Sequence, residues 1–124
     1  MNPSPEKAPA TATRNQEAAV AADVVGRVVS EIVQHCDPER IILFGSTAEG
    51  RTHQDSDLDL LVVMDSTLPR HKRAAPIRLL FSPYPCPMDI LVYTPTEVRK
   101  WRGATNHIVT EVFNRGKVMY ERAG

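Results

Sequence analysis

The sequence predicts a small α/β (α+β) domain, a mixed β-sheet with helices packed on it. Three observations predict it. Four short apolar runs read as strands, the segments between them carry helical periodicity, and 124 residues are one domain's worth of chain. The runs are Arg40 to Phe44, Asp57 to Met64, Met88 to Tyr93 and Lys117 to Tyr120. The expected order is helix, strand, strand, helix, strand, helix, helix, strand.

Residues 1–14 hold Pro3, Pro5 and Pro9 among Ala, Ser and Thr, and nothing there can bury a face; a disordered tail is expected, with the domain occupying 15–124. From Asn15 the pattern changes. Val20, Val24, Val28 and Ile32 recur at four-residue steps beside Val25, Val29 and Val33, the signature of an amphipathic helix running to His35. Asp37-Pro38 ends it, because a residue before proline is pushed out of the helical region. The second run is apolar without alternation after Asp59, so it is expected in the middle of the sheet, covered on both faces. Arg70 to Phe81 reads as helix, started late or kinked by Pro76. Ser82 to Pro87 holds three prolines and must be irregular. Thr94-Pro95-Thr96-Glu97 resembles a helix start with Pro95 at the first position. Thr105 to Arg115 is a further helix, closed by Gly116 where a left-handed residue is expected.

Formal charge is zero, which argues against a general nucleic-acid coat and leaves a local basic patch open. Cys36 and Cys86 read as small buried apolar groups, not a disulfide framework. No window approaches the roughly eighteen apolar residues of a membrane span, and no apolar signal core opens the chain, so a cytoplasmic location is expected.

The chemistry concentrates between Phe44 and Val63. Gly45-Ser46 closes the first strand, and after ten residues Asp57-Leu58-Asp59 heads the second. Asp57 and Asp59 are two apart on a strand, facing one way with Cα atoms roughly 6.5 Å apart. Asp89 heads a strand that can lie beside theirs. Three carboxylates at one sheet edge repel unless divalent cations neutralise them, and hard oxygen ligands select magnesium. Two such ions can clamp the attacking and leaving oxygens of a phosphoryl displacement. In that picture Asp57 and Asp59 bridge both ions, and Asp89 completes the one nearer the acceptor. Gly45 lets the backbone approach a triphosphate, and Ser46 offers its hydroxyl and N–H. An EF-hand is excluded because its sixth and twelfth positions would be Leu60 and Ser66. A P-loop is excluded because no Gly-Lys-Ser/Thr follows the glycines. Arg70, Lys72, Arg73 and Arg78 form a basic stretch that reads as a solvated helix face, with a triphosphate or RNA contact as the sharper alternative.

Gly-Ser, about ten residues, Asp-x-Asp and a later strand Asp resemble the signature of the nucleotidyltransferase superfamily. The length and the ending VTEVFNRGKVMYER resemble its minimal members, with the likeness running from Asn15 to Arg122. The resemblance implies transfer of a nucleoside monophosphate, usually AMP from ATP, to a hydroxyl with release of pyrophosphate. It also implies a partner carrying a HEPN domain, toward which minimal members act as antitoxins by adenylylation. Relatives often carry a basic residue just before the second glycine; here Glu49 stands there, and Arg51 follows as the candidate nucleotide contact. So small a chain leaves little protein to shape an acceptor pocket, so a partner or a second copy is expected to present the acceptor. A non-catalytic antitoxin acting by occlusion and an aminoglycoside adenylyltransferase are the competing readings.

Overall fold

A computed structural model describes residues 10–45, 58–83 and 85–123, with side chains from Asp23 onward. Helix α1 spans Ala10–Cys36, and the strands are β1 (Arg40–Phe44), β2 (Leu58–Val63), β3 (Met88–Tyr93) and β4 (Lys117–Glu121). Three short helices complete the described elements: α2 (Ala74–Arg78), α3 (Pro95–Trp101) and α4 (Ile108–Arg115). The first helix starts at Ala10, five residues before the boundary expected at Asn15. The stretch after Pro9 has no further helix breaker and several alanines, the best helix former. Of the tail expected over residues 1–14, residues 10–14 are helical and residues 1–9 lie outside the described residues.

The sheet order is β3-β2-β1-β4. β1 is antiparallel to both β2 and β4, while β2 and β3 are parallel, joined by a crossover through α2. β2 is therefore central, as its unbroken apolar character requires; five of its six residues are buried.

Two apolar clusters sandwich the sheet. On one face Val25, Val28, Val29 and Ile32 of α1 and Ile77 of α2 pack onto Ile41, Leu43, Leu58, Leu60, Val62, Ile90 and Val92. On the other, Val98 of α3 and Val109 and Val112 of α4 pack onto Ile42, Leu61, Val63 and Tyr93. The molecule is thus three-layered. Strand alternation sends Leu58, Leu60 and Val62 to the α1 face and Leu61 and Val63 to the α3–α4 face. Cys36 and Cys86 pack against the first cluster, and burial pushes the Cys36 thiol above its ordinary pKa.

The expected helix over 70–81 is shorter and broken. A 3-10 turn covers Arg70–Lys72, and α2 is confined to Ala74–Arg78, which keeps Pro76 in its first turn where no N–H is missed. Helix α3 starts as its sequence requires. The Thr94 hydroxyl accepts from the Glu97 N–H (3.2 Å), the Glu97 carboxylate accepts from the Thr94 N–H (2.9 Å), and Pro95 takes the first position.

Gly116 is not left-handed. Its φ is −80°, an ordinary value. The glycine is required by space instead: a Cβ there would meet Ile42 Cγ2 at 2.5 Å, Val112 O at 2.6 Å and Leu43 O at 2.9 Å. Helix α4 therefore ends pressed against β1 itself.

Candidate active site

The parallel register of β2 and β3 pairs Asp59 with Asp89, Leu58 with Met88 and Leu60 with Ile90. Paired residues on neighbouring strands share a face, so Asp59 and Asp89 stand side by side at the usual interstrand spacing of about 4.8 Å. Both lie on the α3–α4 side, out of step with the buried Leu58, Leu60 and Ile90. Asp59 is half-buried and Asp89 exposed, so the pair opens to solvent at the N-terminal ends of the two strands. The Leu58 N–H donates to Pro87 O (2.9 Å), tying the turn before β3 to the head of β2 and fixing that register.

The end of β1 meets the same spot. Phe44 pairs with Asp59 on the antiparallel side. Gly45 follows with φ +78°, in the left-handed region that favours glycine. A Cβ on Gly45 would fall on Asp59 Oδ2 and stand 3.2 Å from Asp59 Cγ. The backbone at Gly45 thus passes directly over the Asp59 carboxylate, a closeness that excludes every other residue type.

Of the six residues singled out from sequence, Gly45, Asp59 and Asp89 come together at one end of the sheet. Ser46, Arg51 and Asp57 lie outside the described residues. Among the described residues no group of three His, Cys, Asp or Glu side chains is arranged around a metal position. The donors at hand are carboxylate oxygens on adjacent rigid strands at an open edge. That chemistry suits a hard, partly hydrated divalent cation and is ill suited to soft metals.

The basic stretch takes a structural role at the opposite end of the sheet. Arg73, with a side chain 9% exposed, donates to Glu97 Oε1 (2.7 Å) and Oε2 (3.2 Å), to Leu68 O (2.8 Å) and to Val92 O (3.2 Å). Arg70 reaches Glu97 at 3.5 Å and lies over the Tyr93 ring at 4.8 Å. The Arg73 guanidinium, with smaller help from Arg70 and the Thr94 N–H, holds the Glu97 pKa down to about 2. These cations lock α3 to the segment before α2. Lys72 remains on the solvated surface.

Sequence reasoning did not find the role of His107. Its ring caps α4, with Nδ1 accepting from the Val109 N–H (3.1 Å), and stacks on Trp101 at 4.5 Å between centroids. Histidine is not a usual cap, so no sequence signal marked it. An open groove of about 440 Å³ lies between Arg27 and Glu31 of α1 and Phe81 and Pro83. It includes neither Asp59 nor Asp89 and sits with α1, on the other face of the sheet.

The mixed four-stranded sheet thus brings a strand-ending glycine over one of two in-register carboxylates. The family model for the nucleotidyltransferase domain matches residues 27–118, and the chain belongs to that family. The matched span begins within α1 and ends two residues into β4, so it takes in β1, β2 and β3 and every buried residue of both clusters except Val25. Among solved structures, the chain is similar to one described as a crystal structure of a toxin-antitoxin with AMP-PNP. The TM-score is 0.54 at 21% identity, covering 78% of this chain and 73% of that one. At that identity the likeness speaks for the fold. No curated protein matches. No described helix is long and apolar enough to cross a membrane.

Proposed function

We propose that this domain transfers AMP from ATP to a hydroxyl on a partner protein, with magnesium, and serves as the antitoxin of a pair whose toxin carries a HEPN domain. The observation that carries the reading is the in-register pairing of Asp59 with Asp89 beneath Gly45. Family membership supports nucleotidyl transfer. The AMP-PNP and the toxin-antitoxin description of the structural neighbour support the nucleotide and the partner.

Asp57, Asp59 and Asp89 would hold the magnesium ions. When bound, the metal supplies charge neutralisation of the triphosphate and of the pyrophosphate leaving group. The chain's own residues do the rest. Gly45 keeps the backbone low, so that the triphosphate can approach the carboxylates. The Ser46 hydroxyl and N–H hold the triphosphate, with Arg51 as a further cation. The acceptor oxygen bonds to the α-phosphorus as the bond to the bridging pyrophosphate oxygen breaks. Asp89, on the solvent-open side, takes the acceptor's proton. Positioning contributes most of the rate, because the reacting groups are held on rigid strand ends. The catalytic unit is the minimal domain, residues 15–124, acting in the cytoplasm.

The test is incubation of the protein and its partner with magnesium and α-labelled ATP. Label on the partner that is lost with Asp57→Ala/Asp59→Ala supports the transferase. Neutralisation of the toxin by that double variant, with no label on the wild-type reaction, supports occlusion instead. Label on an aminoglycoside and none on protein points to the small-molecule enzyme.

A further inference from the structure

Charge is unevenly distributed along this neutral chain. Residues 94–122 hold six Lys and Arg against three Asp and Glu, and of these cations Arg115 pairs with Glu111 and Arg122 with Asp37. Three of those cations, Arg99, Lys100 and Arg102, are consecutive or nearly so on exposed positions at the end of α3.

Their surroundings are unusual. Lys100 Nζ lies over the Trp101 ring at 4.9 Å from its centroid. The Arg102 guanidinium lies over the Phe113 ring at 4.4 Å, and Arg40 shares that ring at 5.5 Å. Trp101 and Phe113 are themselves held against the second cluster. The aromatic rings act as pedestals that fix the cations without neutralising them, because a ring takes no N–H hydrogen bond comparable to a carboxylate's. Among the described residues Glu121 pairs with Arg40 and Glu111 with Arg115, whereas no carboxylate lies within ion-pair distance of Lys100 or Arg102. A guanidinium lying on a ring keeps its N–H donors free, in the fork geometry that matches a phosphate.

We propose that the α3–α4 face, centred on Lys100 and Arg102, binds the phosphodiester backbone of single-stranded RNA. The patch is short, since α3 is only seven residues, and so suits a few phosphates of a flexible strand. No long helix projects from it to enter a duplex groove. The exposed Thr105 and Asn106, in the turn next to the Trp101–His107 stack, offer the hydroxyl and amide that a ribose 2′-hydroxyl can pair with. This surface does not depend on the transferase reading.

The experiment is fluorescence anisotropy of a labelled single-stranded RNA of about twenty nucleotides with the full chain, from low to physiological salt. Neutralising about three phosphates gives a slope of log affinity against log salt near −2. Lys100→Glu/Arg102→Glu is expected to weaken binding at least tenfold. Arg27→Glu/Lys72→Glu, which removes two exposed cations elsewhere, is expected to change it less than twofold. Circular dichroism and ATP affinity should stay as in the wild type for both. The proposal is overturned if the RNA does not bind at low salt, if binding ignores salt, or if the two double variants lose affinity equally. Equal affinity for polyglutamate overturns it in favour of an acidic protein partner, and equal affinity for single-stranded DNA overturns the preference for RNA.

Discussion

At Gly45 a single hydrogen stands where any other residue would drive a methyl group into the Asp59 carboxylate. Gly45→Ala must either move the main chain or push Asp59 off its axis, and its positive φ adds strain. Transfer activity is expected to fall on the order of a hundredfold while the thermal midpoint drops by only a few degrees. Asp59→Asn and Asp89→Asn keep shape and remove charge. Each should lower the rate of nucleotidyl transfer on the order of a thousandfold with unchanged far-ultraviolet circular dichroism. A variant at either position that retains full transfer would remove that carboxylate from the chemistry.

The same scale decides Gly116. If backbone handedness were its reason, asparagine would serve almost as well as glycine. Because the reason is space, Gly116→Asn should be at least as damaging as Gly116→Ala, each costing about 1–3 kcal/mol in urea unfolding. The sequence signalled a helix end there and was silent on the packing, since the atoms that crowd Gly116 come from Ile42 and Leu43, far away in the chain.

Elements differ in how openly the sequence announces them. The strands were legible because each is a short apolar run bounded by breakers, and α3 because its capping box is local. The helix over 70–81 was overestimated. Its periodicity is real, and Ala74, Ile77 and Phe81 do pack on the first cluster, but the α-helix is confined to Ala74–Arg78, with Pro76 in its first turn. The Arg73–Glu97 lock was illegible, because its members are 24 residues apart and each reads as surface. Glu97 serves two masters, capping α3 and pairing with a nearly buried guanidinium. Glu97→Gln should destabilise the fold by about 2–3 kcal/mol, much of it from leaving Arg73 without a counter-charge. The pH dependence has a definite sign. The folded pKa, about 2, lies below the ordinary carboxylate value, so the unfolded chain binds the extra proton between them. The stabilisation is complete above about pH 5 and drains away as the pH falls toward 2. The gap between wild type and Glu97→Gln in denaturant titrations should therefore be constant near neutrality and shrink over that acid range.

For the molecule as a whole, half the candidate site was readable as spacing alone. Asp59 and Asp89 were placed on neighbouring strands from their positions at the heads of apolar runs, and the register puts them side by side. Ser46, Arg51 and Asp57, the last read from sequence as heading the second strand, lie outside the described residues. If the carboxylates hold metal, chelation with EDTA should abolish transfer, and magnesium should restore it with no change in secondary structure. Differential scanning fluorimetry should then show ATP raising the thermal midpoint only when magnesium is present.

The pairing of β2 with β3 has one more effect. LDLLVV and MDILVY are greasy on both faces, so burial alone discriminates poorly between neighbouring alignments of the two strands. Each carries one aspartate, at its second position. Sliding one strand past the other by a single step would turn one acid toward the α1 layer, into hydrocarbon, at a cost no compensating contact could match. The acids are thus alignment marks, apart from any chemistry they carry. A chain stripped of both would lose the penalty that keeps its sheet from assembling out of step.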